Sequence, residues 1–201
     1  AMSADVQRTS GISETGGAVR KALVTGGSRG IGRGIAKVLA AEGYDIAITY
    51  ASHREQAEAV AEEIRTRFGR VCIVIQASLE RQDVPGAAVQ TAFRELDGLD
   101  VLVNNAGITR FNEGIDEDVE MLNAVVDLDF KAYMLASSAA VRLMVDHGVR
   151  GAIVNITSSR AERAYPEDAF YGAVKAAVKR ATESLALKYA PHGIRVNCVA
   201  P

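Results

Sequence analysis

The chain has 201 residues, of which 48% are hydrophobic and 24% charged, and its formal net charge is −2. This length predicts one domain, and the balance of residue types is that of an ordinary protein with a buried core. A net charge this close to zero, with no basic stripe interleaved with aromatic residues, argues against nucleic acid or an anionic membrane as a partner.

Short apolar runs alternate with segments whose apolar residues recur at helical spacing. Six runs are predicted as strands: Ala22–Thr25, Ile46–Tyr50, Val71–Ile75, Val101–Asn104, Ala152–Ile156 and Ile194–Val199. Five helices are predicted between them: Gly30–Glu42, Glu55–Phe68, Val84–Leu96, Asp116–His147 and Asp168–Tyr189. Strands that are apolar throughout need helices on both faces. The pattern therefore predicts an α/β fold, a doubly wound parallel sheet (Rossmann fold), as a single domain over residues 19–201.

The start of the chain and its cysteines give further expectations. Residues 1–18 are rich in Ser, Gly and Thr and lack the apolar segment of a signal peptide, so they are interpreted as a flexible leader. No apolar run approaches the ~18 residues that span a bilayer. Cys72 and Cys198 lie in apolar runs and are expected to be buried, reduced thiols. Together these features favour a cytoplasmic protein that does not bind a membrane.

A glycine-rich segment lies between the first strand and the first helix. Its sequence is Thr25-Gly26-Gly27-Ser28-Arg29-Gly30-Ile31-Gly32. Glycine lets backbone approach a pyrophosphate closely, and the free N–H groups of the following helix then face the anion. A purely structural turn is the alternative, but the position after a first strand favours dinucleotide binding. The predicted contacts are Gly26, Ser28, Arg29, Gly30, Ile31 and Gly32.

The spacing GxxxGxG differs from the commoner GxGxxG and resembles the TGxxxGxG signature of the short-chain dehydrogenase/reductase family. The segment Asn104-Asn105-Ala106-Gly107, at the end of the fourth strand, matches the family's NNAG motif. The resemblance extends over Ala18–Pro201. It implies that Asn104, Ala106 and Gly107 contact the adenosine portion of the cofactor, with Asn104 also bonding across to neighbouring strands.

The end of the second strand bears on cofactor choice. Rossmann proteins that use NAD usually carry an acidic residue there, on the ribose 2′-hydroxyl. Here the position is Tyr50, followed closely by Ser52, and no carboxylate is present. Arg29 lies where similar NADPH-using members carry a basic residue, and a guanidinium suits a phosphate. We therefore predict NADP(H) over NAD(H), with Tyr50 and Ser52 near the ribose and Arg54 as a weaker candidate.

The adenine site is expected after the third strand. The family usually carries an Asp there that contacts the adenine amino group, and Ser78 replaces it, followed by Leu79. A hydroxyl can still accept a hydrogen bond, although it is shorter and uncharged. The resemblance therefore implies that Ser78 and Leu79 lie beside the adenine.

Tyr171 and Lys175 are four residues apart on a predicted helix and so share a face. A free tyrosine has a pKa of about 10, and an adjacent ammonium is expected to lower it. Tyrosine would then act as general acid for ketone reduction, or as base for alcohol oxidation. Ser158 precedes Tyr171 by 13 residues, and in the family this serine hydrogen-bonds the reacting oxygen. Ser159 is the weaker alternative.

Asp129 departs from the family pattern. The family's fourth catalytic residue is an Asn about 25 residues after the first Asn of NNAG, and counting from Asn104 reaches Asp129. An aspartate could accept the same hydrogen bonds in a proton relay, but its charge would pair with Lys175 and oppose ionisation of Tyr171. We predict retained activity with an alkaline-shifted pH profile. A helix aspartate facing elsewhere is the alternative.

No metal site is expected, because His53, His147 and His192 are scattered at loops and helix ends and are interpreted as surface or capping residues.

The chain ends at Pro201, whereas family members continue with residues at the nicotinamide, a substrate-covering segment and a seventh strand. We therefore expect a sheet without that C-terminal strand. The resemblance implies a homotetramer or homodimer that acts on a small-molecule carbonyl or alcohol. Residues 104–110 resemble 3-oxoacyl-carrier-protein reductases, but Phe111–Gly114 departs from them, so sugar, polyol or small-ketone substrates stay open. A non-catalytic dinucleotide-binding regulatory protein is the alternative to an oxidoreductase.

Overall fold

A single parallel sheet lies at the centre of the computed structural model, which describes residues 18–109 and 119–201. Its strands are β1 (Lys21–Val24), β2 (Asp45–Tyr50), β3 (Cys72–Gln76), β4 (Val101–Asn104), β5 (Ala152–Ile156) and β6 (Arg195–Val199). Their order across the sheet is β3-β2-β1-β4-β5-β6, and every pair is parallel. The predicted doubly wound fold is confirmed, and each predicted strand ends within one residue of the observed one.

Helices cover both faces of this sheet. They are α1 (Gly30–Ala41), α2 (Arg54–Phe68), α3 (Val84–Leu96), α4 (Val119–Val126), α5 (Ala132–Asp146) and α6 (Ala169–Tyr189). The predicted leader and the predicted start of the fourth helix at Asp116 lie outside the described residues, as does Phe111–Gly114.

The predicted continuous helix before His147 differs from the structure. Between α4 and α5 the backbone forms a π-helical turn, Asp127–Lys131, and this turn carries the buried side chain of Asp129. Single π-helical turns are rare and frequently occur at functional sites. The helical spacing of apolar residues continues on either side, which is why the sequence pattern did not reveal the interruption.

Two apolar layers hold the helices on the sheet, because successive side chains of each strand point to opposite faces. On one face, Ala22 and Val24 of β1 pack with α1 and α2. On the other, Leu23 of β1 and Leu102 of β4 pack with α3, α5 and the end of α6. Strands buried on both faces explain the near-continuous apolar runs of the sequence.

The chain reverses its direction of winding between β1 and β4, which are neighbours at the centre of the sheet. In open α/β sheets, ligands bind outside the carboxyl ends of the strands at this switch point. The segments that follow β1, β4 and β5 therefore meet at one edge of the sheet.

Both cysteines are free thiols. Cys72 is buried, and burial raises its pKa to about 12, so it is an inert core residue. Cys198 is half-buried in β6.

Candidate active site

The glycine-rich loop after β1 has the close approaches that the sequence predicted. Gly26 and Gly30 have φ angles of +66° and +53°, in the left-handed region that favours glycine. Gly32 packs so tightly that a Cβ there would overlap the carbonyl oxygen of Gly26 and the side-chain amide of Asn105. The spacing of the motif is therefore fixed by backbone geometry and by one neighbouring side chain.

The first turn of α1 faces a cleft. Arg29 precedes the helix with an extended backbone, and no side chain caps the helix N-terminus. Gly30, Ile31 and Gly32 line the cleft at this end. Because the first N–H groups of a helix lack partners within the helix and carry a partial positive charge, this end suits an anion such as a pyrophosphate.

Asn105 and two threonines hold the loop in place. The Asn105 amide donates to the carbonyl oxygens of Thr25, at 2.8 Å, and Gly26, at 3.2 Å. The Thr25 hydroxyl oxygen accepts the N–H groups of Asn105 and Ala106, and the Thr49 hydroxyl oxygen accepts the N–H of Gly26 at 3.0 Å. Sequence reasoning missed these roles.

Asn104 lies on the opposite side of the chain from Asn105. It is buried, and its amide donates to the side chain of Asn155, at 2.9 Å, and to the Ser137 hydroxyl, at 3.0 Å. The predicted bonding across strands is thus present. Asn104 is not among the residues that line the cleft, and its contact with the cofactor stays a prediction. Side chains alternate along an extended chain, which places Asn105 at the cleft instead.

The cleft has a volume of about 630 Å³ and runs from the glycine loop to Tyr171 and Lys175. All but two of the predicted site residues line it. They are Gly26, Ser28, Arg29, Gly30, Ile31, Gly32, Tyr50, Ser52, Leu79, Ala106, Gly107, Asp129, Ser158, Tyr171 and Lys175. The exceptions are Asn104 and Ser78, which is half-buried between Ala77 and Leu79, two residues that do line the cleft. His53, interpreted from sequence as a surface or capping residue, also lines it.

Ser158 and Tyr171 meet at the far end of the cleft. Ser158 follows β5, and its hydroxyl oxygen accepts the N–H of Arg160 at 3.2 Å. Tyr171 lies in the first turn of α6 and is 9% exposed. Its hydroxyl has hydrogen bonds with the side chains of Ser158 and Thr109. Thr109 was not singled out from the sequence, because it follows the NNAG motif without a pattern of its own.

Lys175 is buried one turn after Tyr171. Its ammonium donates to the Ile156 carbonyl oxygen at 3.1 Å and to the Tyr133 hydroxyl at 3.5 Å. It also forms an ion pair of 2.9 Å with the Asp129 carboxylate. The predicted pairing of Asp129 with Lys175 is therefore present, and the alternative of an aspartate facing elsewhere does not hold.

The Asp129 carboxylate is enclosed on two further sides. One oxygen accepts the N–H of Ile108 at 2.9 Å, and the other lies against Gly107, where a Cβ would come within 2.5 Å of it. Burial raises the pKa of Asp129, whereas the Lys175 ammonium and the Ile108 N–H act in the opposite direction.

The pKa of Tyr171 is raised above its ordinary value, which corrects the expectation that the adjacent lysine would lower it. Burial is the largest cause. The hydrogen bonds from Thr109 and Ser158 lower this pKa, and the carboxylates of Asp129 and Asp168 raise it. Because Asp129 neutralises the Lys175 ammonium at short range, little of its positive field is left to favour the phenolate.

The described residues contain no helix long and apolar enough to cross a membrane. Over the same two ranges, no group of three or more His, Cys, Asp or Glu side chains is arranged to hold a metal ion.

The cleft fits a dinucleotide on the geometry of the chain alone. At one end, backbone that tolerates no Cβ and an uncapped helix N-terminus suit a pyrophosphate. At the other end, the buried phenol of Tyr171 is hydrogen-bonded to the Ser158 hydroxyl. A family model described as short chain dehydrogenase matches residues 20–201.

The chain belongs to the short-chain dehydrogenase family.

Individual relatives agree with this assignment. A 3-oxoacyl-[acyl-carrier-protein] reductase FabG of Staphylococcus aureus is 42% identical over 182 residues, which are 90% of this chain and 73% of the reductase. The solved structure of a short chain dehydrogenase from Burkholderia cenocepacia in complex with NADP has a TM-score of 0.85 at 41% identity, covering 90% of this chain and 73% of that one. Acetoin dehydrogenase YohF from Salmonella typhimurium has a TM-score of 0.87 at 33% identity, covering 91% and 72%.

This short-chain dehydrogenase is an oxidoreductase that transfers hydride between a nicotinamide and a ketone or secondary alcohol. The relatives favour this function over the alternative of a non-catalytic regulatory protein.

Proposed function

We propose that the protein is an NADP(H)-dependent carbonyl reductase or alcohol dehydrogenase in which Tyr171 transfers the proton. The observation that carries this proposal is the single cleft that joins the glycine loop to Ser158, Tyr171 and Lys175. The dinucleotide would supply or accept the hydride when bound. The protein's own contribution is to hold the reactants in position and to move the proton.

Ser158 and Tyr171 are the groups that would contact the reacting oxygen. The N–H of Arg160 occupies an acceptor site on the Ser158 hydroxyl, and the hydroxyl proton, which is directed at Tyr171 in this structure, could turn toward a substrate oxygen bound between the two. The Tyr171 hydroxyl, joined to Ser158 by a hydrogen bond, would then give its proton to the oxygen as the carbonyl is reduced. A positioned general acid of this kind accelerates a reaction by ~10²–10⁴-fold.

Lys175 and Asp129 would act as positioning residues behind this pair. The lysine donates to the Ile156 carbonyl oxygen and the Tyr133 hydroxyl and so holds the end of β5 and α5 together below Tyr171. Asp129 compensates the charge of the lysine. A phenol with a raised pKa stays protonated at neutral pH, so it is ready to donate. Carbonyl reduction needs this phenol as the proton donor, whereas alcohol oxidation needs the phenolate as the acceptor.

The preference for NADP(H) rests on charge at the end of β2. Tyr50, Ser52 and His53 line the cleft where an acidic residue would bind the ribose 2′-hydroxyl of NAD. Arg29 lines the same cleft and forms no ion pair within the described residues, so its guanidinium is available to a 2′-phosphate. The NADP complex of the Burkholderia relative agrees with this preference.

The substrate class is supported by the relatives' names alone. The FabG relative is named for reduction of 3-oxoacyl-[acyl-carrier-protein], and the YohF relative for acetoin. A 3-oxoacyl thioester is therefore the first candidate, with small hydroxyketones and sugars as the next ones.

A homodimer or homotetramer is also part of the proposal. Leu135 on α5 and Leu187 on α6 are 38% and 80% exposed, and these two helices are where we expect a second copy of the chain to pack. Light scattering of the purified protein would give its mass, and a monomer would contradict this point.

Turnover measurements test the main proposal. Purified protein is mixed with NADPH and a panel of 3-oxoacyl thioesters, hydroxyketones and sugars, and absorbance of the reduced cofactor is followed. We expect turnover of at least one class, and Tyr171→Phe should lower kcat/KM by ~10²–10⁴-fold. Tyr189→Phe, at the other end of α6, is the matched control and should leave kcat/KM unchanged. Cofactor binding without turnover of any compound would contradict the proposal.

A further inference from the structure

Arg160 and Asp168 form a partly buried ion pair beside the proposed proton donor. The Arg160 guanidinium lies 3.0 Å from the Asp168 carboxylate, whose side chain is 1% exposed. The guanidinium also lies 4.3 Å above the ring of Tyr165, and 3.8 Å from the more exposed carboxylate of Glu167. An ion pair this sheltered is screened far less by solvent than a surface pair.

Each member of the pair is tied to one side of the reacting centre. The backbone N–H of Arg160 donates to the Ser158 hydroxyl oxygen and so holds that oxygen in place. The Asp168 carboxylate caps α6 by accepting the N–H of Gly172, the residue directly after Tyr171.

Gly172 allows the two sides to come close together. A Cβ at this position would lie 3.0 Å from the carbonyl oxygen of Arg160 and 3.2 Å from the Asp168 carboxylate. The turn that carries Ser158 therefore packs directly on the first turn of α6. The ion pair joins the same two segments from the side: Arg160 is two residues after Ser158, and Asp168 is three residues before Tyr171.

We propose that Arg160 and Asp168 are a positioning pair, which fixes the Ser158 turn against the first turn of α6 and balances charge beside the Tyr171 hydroxyl. The proposal rests on the proposed function of Tyr171. The cap of α6 brings a negative charge close to that hydroxyl, and Arg160 offsets the charge without removing the cap.

The electrostatic environment of Tyr171 is consistent with this role. Among the described residues, the charged or titratable groups around it are Asp129 from the π-helical turn, Tyr133 from α5, Lys175 from α6 itself, and the pair Asp168 and Arg160. Of these, Asp129 and Asp168 raise the pKa of Tyr171, after the larger effect of burial. Lys175 compensates Asp129, and Arg160 compensates Asp168, so each carboxylate has its own cation.

The test uses variants with opposite effects on charge. Arg160→Met leaves the Asp168 carboxylate uncompensated, whereas Asp168→Asn keeps an oxygen to cap α6 and removes the charge. The pH dependence of kcat/KM and the absorbance of tyrosinate are measured, the latter against Tyr171→Phe to isolate this phenol. We expect Arg160→Met to move the titration of Tyr171 to higher pH and Asp168→Asn to move it to lower pH. The double variant should return toward the wild type, and Arg160→Lys should restore most of the profile.

Activity gives a second readout. Arg160→Met should lower kcat about tenfold with KM changed less than about twofold, because misplacement of Ser158 affects the reaction more than binding. Arg180→Met is the matched control, since Arg180 pairs with Glu183 on the exposed side of α6. It should change neither kcat nor the pH profile.

Two results separate the possible failures. If Tyr171→Phe is inactive while Arg160→Met and Asp168→Asn lower only the melting temperature and shift no titration, the pair is structural and this inference is wrong. If Tyr171→Phe retains the activity and pH profile of the wild type, the proposed function of Tyr171 is itself wrong, and the inference fails with it.

Discussion

The carboxylate of Asp129 and the ammonium of Lys175 lie 2.9 Å apart, and their side chains are only 1% and 3% exposed. Two opposite charges in such a place are costly to desolvate, and they are tolerated because each compensates the other. In this arrangement the negative charge of Asp129 offsets the positive charge of Lys175 beside Tyr171. It is the main respect in which this site departs from the Asn that the family carries at the same position.

Replacing the carboxylate by an amide should move the pH profile. Asp129 raises the pKa of Tyr171, so Asp129→Asn should lower it and shift the tyrosine-dependent limb of kcat/KM to lower pH. In alcohol oxidation, which needs the phenolate, activity should then begin at lower pH. Ketone reduction needs the phenol and loses activity as pH rises, so in Asp129→Asn this loss should begin at a lower pH than in the wild type. Initial rates in both directions across the pH range measure this.

The matched control for this shift is Asp127→Asn. Asp127 lies two residues earlier in the same π-helical turn and pairs with Lys131 on the outer side. It should leave the profile in place. An Asp129→Asn profile that coincides with that of Asp127→Asn would show that Asp129 has no electrostatic effect on the reaction.

Removing the Lys175 ammonium instead should destabilise the protein, because the buried Asp129 carboxylate then has no cationic partner. Lys175→Met leaves Asp129 charged and unpaired, which should lower the free energy of unfolding by about 3–5 kcal/mol at neutral pH. Adding Asp129→Asn to Lys175→Met should restore much of that loss. Urea unfolding of the four proteins gives the complete cycle, and strict additivity of the two changes would contradict the coupling.

The same cycle has a defined pH dependence. Burial raises the pKa of Asp129 in the folded protein, and loss of Lys175 removes a group that lowers it. The folded state of Lys175→Met therefore binds a proton more tightly than the unfolded state. The stability that the Asp129 carboxyl contributes is fully present below its pKa in the unfolded state, and it is lost as pH rises through its pKa in the folded state. Lys175→Met should thus be closer to the wild type in acid than at neutral pH.

Two glycines of α1 should respond in opposite ways to alanine. A Cβ at Gly32 overlaps the Gly26 carbonyl oxygen and the Asn105 amide, so Gly32→Ala should cost about 1–3 kcal/mol and weaken NADPH binding. Gly34 is exposed on the same helix with no atom within 4 Å of a Cβ, so Gly34→Ala should add about 0.5–1 kcal/mol. Thermal unfolding and quenching of cofactor fluorescence measure both effects. Equal behaviour of the two variants would contradict the proposed close packing.

The sequence predicted the strands and the doubly wound architecture because the apolar runs, glycine spacing and helix stops all act locally. It could not separate Asn104 from Asn105, since two identical residues at a strand end differ only in which face of the chain they occupy. It gave the correct direction for the effect of Asp129 on the pKa of Tyr171, but it expected Lys175 to lower a pKa that is raised overall. The four-residue spacing places Lys175 correctly, but the burial that dominates this pKa comes from packing of distant segments.

Asp129 shows the opposite case. Counting from the NNAG motif was enough to predict its pairing with Lys175, because the helical framework between them is shared with the family. The π-helical turn that carries it could not be predicted, since its residues continue the helical pattern of apolar side chains.

Cofactor preference should depend on Arg29. Charge-assisted hydrogen bonds contribute about 1.5–3 kcal/mol, so loss of the guanidinium should reduce the ratio of kcat/KM for NADPH over NADH by about tenfold or more. Arg29→Ala should act through KM for NADPH and leave NADH nearly unaffected, because only NADPH carries the 2′-phosphate. Arg33→Ala is the matched control: Arg33 lies one turn further along α1 and is engaged with Glu63. If both variants keep the wild-type ratio, the phosphate is held by other groups, and Ser52 and His53, which line the same cleft, become the residues to replace.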